Sequence, residues 1–144
     1  MTRVDFYILS SESHERRLEF ACQLAEKALA QTRRVLIAVE DENQAQQLSD
    51  LLWCHKPESF LPHGRIGEES NQGGQALDIS ARDECLDHHD VLISIRRDIP
   101  AYFSRFQRFA EIVVQEPQIL ANTRNHWNFF KERGYPVNHH PLRG

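Results

Sequence analysis

An α/β domain with a largely parallel sheet is predicted by three features of the sequence: short apolar runs of strand composition, helical segments with three-and-four apolar spacing between them, and short polar connections. The first unit shows all three. Val4-Asp5-Phe6-Tyr7-Ile8-Leu9 carries the β-formers of a strand, and the polar stretch Ser10–Ser13 leads into a segment in which Leu18, Ala21, Cys22, Ala25, Ala28 and Leu29 share one helix face. Val35-Leu36-Ile37-Ala38-Val39 then runs apolar at every position, as in a strand covered on both faces. Strand, helix and strand in this order predict a right-handed parallel unit.

The remaining elements follow in turn. Asp41 and Gln44 have the spacing of a capping box, and Ala45, Leu48 and Leu52 give a second helix its apolar face as far as Trp53. The segment Glu58–His63 is short and apolar, and Pro62 excludes it from a central strand, so an edge or loop place is expected. Gly64 to Gly74 reads as a mobile loop. Ala76–Ile79 and Val91–Ile95 are predicted strands, Pro100–Phe109 a helix, Ile112-Val113-Val114 a strand, and Gln118–Arg133 a last helix ended by Gly134. Residues 138–144, with His139-His140-Pro141, are expected to form a loose tail.

A chain of 144 residues with 40% hydrophobic content suits one domain spanning residues 1–144. No apolar run approaches the roughly 20 residues that cross a bilayer, and Met1–Asp5 lacks the order of a signal peptide, so a cytoplasmic protein without membrane contact is expected. The cysteines Cys22, Cys54 and Cys85 show no Cys-x-x-Cys spacing and are expected to be inert thiols. The net charge of -4 conceals an asymmetry: residues 1–95 hold 9 Lys/Arg against 17 Asp/Glu, whereas residues 96–144 hold 8 against 4. An acidic partner would therefore be drawn to the C-terminal third, unless the two parts neutralise one another on the folded surface.

Motifs for catalysis are missing. The turn after the first strand has no glycine and carries Glu12 and Glu15, which repel phosphate. There is no Gly-x-x-x-x-Gly-Lys-Ser/Thr loop, no Gly-x-Ser-x-Gly elbow and no His-Glu-x-x-His helix. Adjacent histidines diverge on any regular element, so His88-His89 and His139-His140 are expected to be surface residues and not metal ligands. No cofactor is expected.

Phe6-Tyr7-Ile8-Leu9, Arg34 through Asp41, Gln44-Ala45 through Leu48, Leu52-Trp53, Ser59-Phe60-Leu61-Pro62-His63, Gly73-Gly74, Asp90 through Ser94 and Gly134-Tyr135 follow one another along nearly the whole chain. In this order and spacing the chain resembles the chi subunits of bacterial DNA polymerase III. It implies a Rossmann-like three-layer fold, no active site, and two binding surfaces. One surface would hold the psi subunit of the clamp loader; the other would hold the acidic C-terminal tail of the single-stranded DNA-binding protein. A bridge of this kind gains through effective concentration.

The resemblance places Trp53, Phe60, Pro62 and His63 at the psi surface. On composition alone two large aromatics are favoured as core, and a repair helicase docking on the same residues is an alternative to psi. The tail site can be read partly from geometry. On a wheel of about 100° per residue, Ile119, Thr123 and Phe130 fall on one side of the last helix, and Arg124, Trp127, Asn128 and Lys131 on the other with Leu120 at the edge. If the first set faces the core, Trp127 faces out between two cations, a receptor for a peptide that ends in an apolar ring and a free carboxylate. Arg124 and Trp127 match the family's tail-binding arginine and tyrosine. Asn128 stands where the family has a lysine, the segment from Pro117 to Arg124 is shorter, and Lys131 or Arg133 is the substitute cation. Two other classes remain: a small flavodoxin-like nucleotide-binding enzyme, disfavoured by the missing glycine turn, and a direct nucleic-acid binder, disfavoured by the negative net charge and by cations confined to one helix.

Overall fold

The computed structural model describes residues 1–54, 61–71 and 74–143. Seven strands lie in one parallel sheet: β1 (Arg3–Leu9), β2 (Val35–Ala38), β3 (Gly64–Arg65), β4 (Leu77–Ser80), β5 (Val91–Ser94), β6 (Arg108–Val113) and β7 (Val137–Leu142), in the spatial order β3-β4-β2-β5-β6-β1-β7. Three helices flank it: α1 (His14–Ala30), α2 (Glu42–Cys54) and α3 (Pro117–Glu132). This is the three-layer α/β fold that the alternation of elements predicts.

Side-chain alternation along the strands builds two cores. Val35, Ile37 and Val39 point to the layer of α1 and α2, where they pack with Leu18, Ala25, Leu48 and Leu52. Leu36 and Ala38 point to the opposite layer, where Phe6, Phe103, Phe109 and Phe130 of α3 fill the space. β2 and β5 are therefore buried at every position, which is why their sequences are almost continuously apolar.

Several expectations are corrected. The helix expected over Pro100–Phe109 is only a 3-10 turn at Phe103–Arg105, and β6 begins at Arg108, four residues before the predicted strand. Phe103, Phe106 and Phe109 recur every three residues and mimic a helix face. Phe109, however, sits in a strand bonded on both sides, opposite Val4 and Leu92. The expected loose tail forms β7 over Val137–Leu142, paired with β1 along its whole length. Pro141 is tolerated there because β7 is the outermost strand. In the described part of the glycine-rich segment, Gly64–Arg65 pair with β4 and Glu69–Asn71 form a 3-10 turn, where a loop was expected; residues 72–73 lie outside the described residues. A Cβ at Gly64 would lie 2.4 Å from Asn71 and 2.6 Å from Asp78, so the close approach of these elements needs glycine. His88, expected at the surface, is fully buried and meets the buried Asp78 at 2.7 Å.

Gly134 completes the frame. Its φ of +77° ends α3 and turns the chain into β7, with Tyr135 N–H donating to the Phe130 carbonyl at 3.0 Å.

Candidate interaction sites

α3 starts where Glu116 accepts from the N–H groups of Gln118 and Ile119, with Pro117 in the first turn. Phe130 anchors it. This fully buried ring lies 5.3 Å from Phe103, 5.4 Å from Phe109 and 5.8 Å from Tyr135. Thr123 donates to Glu111 at 2.8 Å, and His126 is buried beside the same carboxylate. The core-facing side is therefore the one that the wheel assigns, with His126 added to it.

The opposite side carries Arg124, Trp127, Asn128 and Lys131, and differs from the expectation in one respect. Arg124, Asn128 and Lys131 are exposed, but Trp127 is half-buried. Its ring packs on Phe6 at 6.3 Å between centroids and stacks on His139 of β7 at 4.1 Å with 25° between planes. Lys131 Nζ lies 5.3 Å from the indole centroid. Arg124 makes no hydrogen bond or ion pair with another described residue. Arg133 is engaged elsewhere: its guanidinium lies 3.8 Å from the Phe129 centroid and donates to the Phe129 carbonyl. Lys131 is thus the cation left to stand beside Trp127. The stacking histidine was missed because β7 itself was read as a loose tail.

The second set of predicted residues gathers around the end of α2. Trp53 is 60% exposed, which removes it from the core that composition favoured. One turn earlier, the Ser49 hydroxyl lies 2.8 Å from His63 Nε2, and His63 Nδ1 lies 2.9 Å from the Leu61 carbonyl. The carbonyl can only accept, so Nδ1–H donates to it, and the Ser49 hydroxyl bonds the other ring nitrogen. Pro62 is exposed between them, and Phe60 lies outside the described residues.

Ligands of parallel α/β sheets usually sit at the carboxyl ends of the strands. Here a 230 Å³ pocket at that end is lined by groups already committed to one another. Glu111 holds Thr123 and His126, Glu40 takes an N–H and the guanidinium of Arg97, and Arg17, 6% exposed, donates to the Ile112 carbonyl at 2.8 Å. Of these, the sequence marks Thr123 as core-facing and Glu40 only as part of the family-like run; it does not single out Glu111, His126, Arg97 or Arg17. Among the described residues no cluster could hold a metal ion, and no helix is long and apolar enough to cross a membrane.

A sequence profile of the family described as "DNA polymerase III chi subunit, HolC" matches residues 1–138. The chain belongs to this family. DNA polymerase III subunit chi of Pseudomonas aeruginosa is 39% identical over 142 residues, covering 99% of this chain and 98% of the relative. The chi subunits of Escherichia coli and Haemophilus influenzae are 29% and 28% identical, over 96% and 90% of this chain and 97% and 90% of their own lengths. As a chi-family chain it is a subunit type of DNA polymerase III, with its fold covered almost end to end by the match.

Proposed function

We propose that this chi-family chain is a non-catalytic adaptor that joins the psi subunit of the clamp loader to the acidic C-terminal tail of the single-stranded DNA-binding protein in the cytoplasm. The observation that carries the reading is the placement of the two candidate surfaces. Trp53 and His63 belong to the α2 layer, and Arg124, Trp127 and Lys131 to the α3 layer on the other face of the sheet. Two partners can then be held at once without competing for space, which is what a bridge requires.

The chemistry of each surface supports its partner. An exposed tryptophan on a helix end beside an anchored turn has the makings of an interface hot spot. Arg124, with no hydrogen bond or ion pair to another described residue, and Lys131 beside the Trp127 ring suit a peptide rich in carboxylates. The closed polar network at the carboxyl ends of the strands leaves His126 with both nitrogens engaged and thus unavailable as a general base, in keeping with an adaptor and not an enzyme.

Reconstitution tests the bridge. The chain, psi and an acidic tail peptide should form a ternary complex; Phe60→Ala should release psi alone, and Arg124→Ala the peptide alone. Mutual exclusion of psi and peptide would sink the reading.

A further inference from the structure

Resting on the reading of α3 as a receptor for an acidic peptide, we propose that His139 is a further binding residue of that receptor, whose charged form holds a carboxylate of the peptide at the seam between α3 and the edge strand β7. His139 is exposed, and its ring stacks on Trp127 at 4.1 Å with Phe6 behind it at 5.9 Å. Neither of its ring nitrogens bonds to another described residue. Other histidines nearby are spent: His140 bonds to Asp5 at 2.9 Å, and His126 bonds to Glu111 and to the Arg97 carbonyl. His139 is fixed in position by stacking and keeps its polar atoms for something outside the chain.

The surroundings set the sign of its effect. Beside Trp127, α3 presents Arg124 and Lys131; β1 presents the uncharged Phe6; and on β7 the neighbours Asn138 and His140 point to the opposite face of the sheet, as Asp5 does. Among the described residues no carboxylate bonds to Arg124, Trp127, Lys131 or His139, although the exposed Glu132 of α3 follows Lys131, and a proton on His139 adds to the positive charge of Arg124 and Lys131. A peptide of neutral residues would gain nothing from it, whereas each carboxylate brought to the seam would. The receptor so defined selects for acidic residues ahead of the terminal ring as well as for the ring itself.

The experiment is a calorimetric titration of a synthetic aspartate-rich peptide ending in phenylalanine with a free carboxylate, at pH 8 and pH 6 and constant ionic strength. Wild-type affinity should rise by about two- to five-fold on going to pH 6, the range that one exposed ion pair supplies. His139→Ala should lose that gain, and His139→Lys should hold the tighter affinity at pH 8. Because His139 is exposed, melting temperatures should be unchanged and confirm that both variants fold. Equal affinity of wild type and His139→Ala at pH 6, or a pH gain that survives in His139→Ala, would overturn the assignment. Binding that needs Arg124 but not His139 would leave the receptor standing and sink this residue alone; no binding by the wild type would sink both.

Discussion

The His126 imidazole lies 2.6 Å from the Glu111 carboxylate through Nδ1 and 2.7 Å from the Arg97 carbonyl through Nε2. Both neighbours are acceptors, so only the imidazolium donates to both. Burial draws the pKa of His126 down, but the hydrogen bond and charge of Glu111 more than offset it, and the group stands above the ordinary histidine value. The pair ties α3 to β6 beneath the candidate tail site.

A raised folded pKa fixes the direction of a pH effect. The contribution of His126 to stability is fully present below its unfolded value of about 6.5 and is lost as pH rises through the folded value. Melting temperature should therefore decline above pH 6.5 in the wild type and decline less in His126→Gln. Parallel profiles for the two proteins would contradict the pairing.

Asp5 predicts the opposite flank. Burial pushes its carboxyl up, but hydrogen bonds from His140 and Arg108 and the charges of Arg108 and Arg3 outweigh this and hold it below the usual value. A depressed folded pKa gives stability that is present above about 3.9 and lost as pH falls through the folded value. Since Asp5 joins β6, β1 and β7 through Arg108 at 2.8 Å and His140 at 2.9 Å, acid should loosen the edge strand. Amide protection factors across residues 137–142, corrected for the intrinsic exchange rate at each pH, should fall below pH 4 in the wild type, and Asp5→Asn should show that loss of protection already at pH 6.

Phe130 and Trp127 separate a fold anchor from a binding residue. Phe130→Ala removes a fully buried ring and should cost about 3–5 kcal/mol of unfolding free energy by denaturant titration. Trp127→Ala removes a half-buried ring and should cost about 1–2 kcal/mol, the range of ordinary substitutions. A loss at Trp127 as large as that at Phe130 would place the indole in the core and remove it from the site.

Much of the fold is legible because its causes are local. Val35–Val39 and Val91–Ile95 read as strands since both of their faces are buried, and α1 reads as a helix since one face packs on the sheet. β7 is not legible. Its burial is partial, its sequence Val-Asn-His-His-Pro-Leu includes a proline, and its order comes from pairing with β1, over a hundred residues earlier. The same distance hides parts of the site. Arg124, Trp127 and Lys131 share a helix and fall together on a wheel, but His139 joins them only through β7, and Glu111 meets His126 only through the packing of α3 on β6.

The α2 surface makes its own prediction. Trp53→Ala should abolish capture of psi while costing well below the roughly 3–5 kcal/mol expected for a fully buried ring, since Trp53 is 60% exposed. Ser49→Ala, which removes the partner of His63 at 2.8 Å, should weaken psi binding less, because the Leu61 carbonyl still holds the ring. Pull-down with purified psi, read beside melting curves, checks both.

The most direct measurement is titration of the acidic tail peptide into the wild type, Arg124→Ala and Trp127→Ala at two salt concentrations. Screening weakens exposed charge pairs and leaves ring burial intact. Arg124→Ala should therefore cost more affinity at low salt than at high salt, Trp127→Ala should cost a similar amount at both, and amidating the terminal carboxylate of the peptide should mimic the arginine change. Affinity indifferent to Arg124, Trp127 and Lys131 at both salt concentrations would reduce the α3 strip to a solvated helix face.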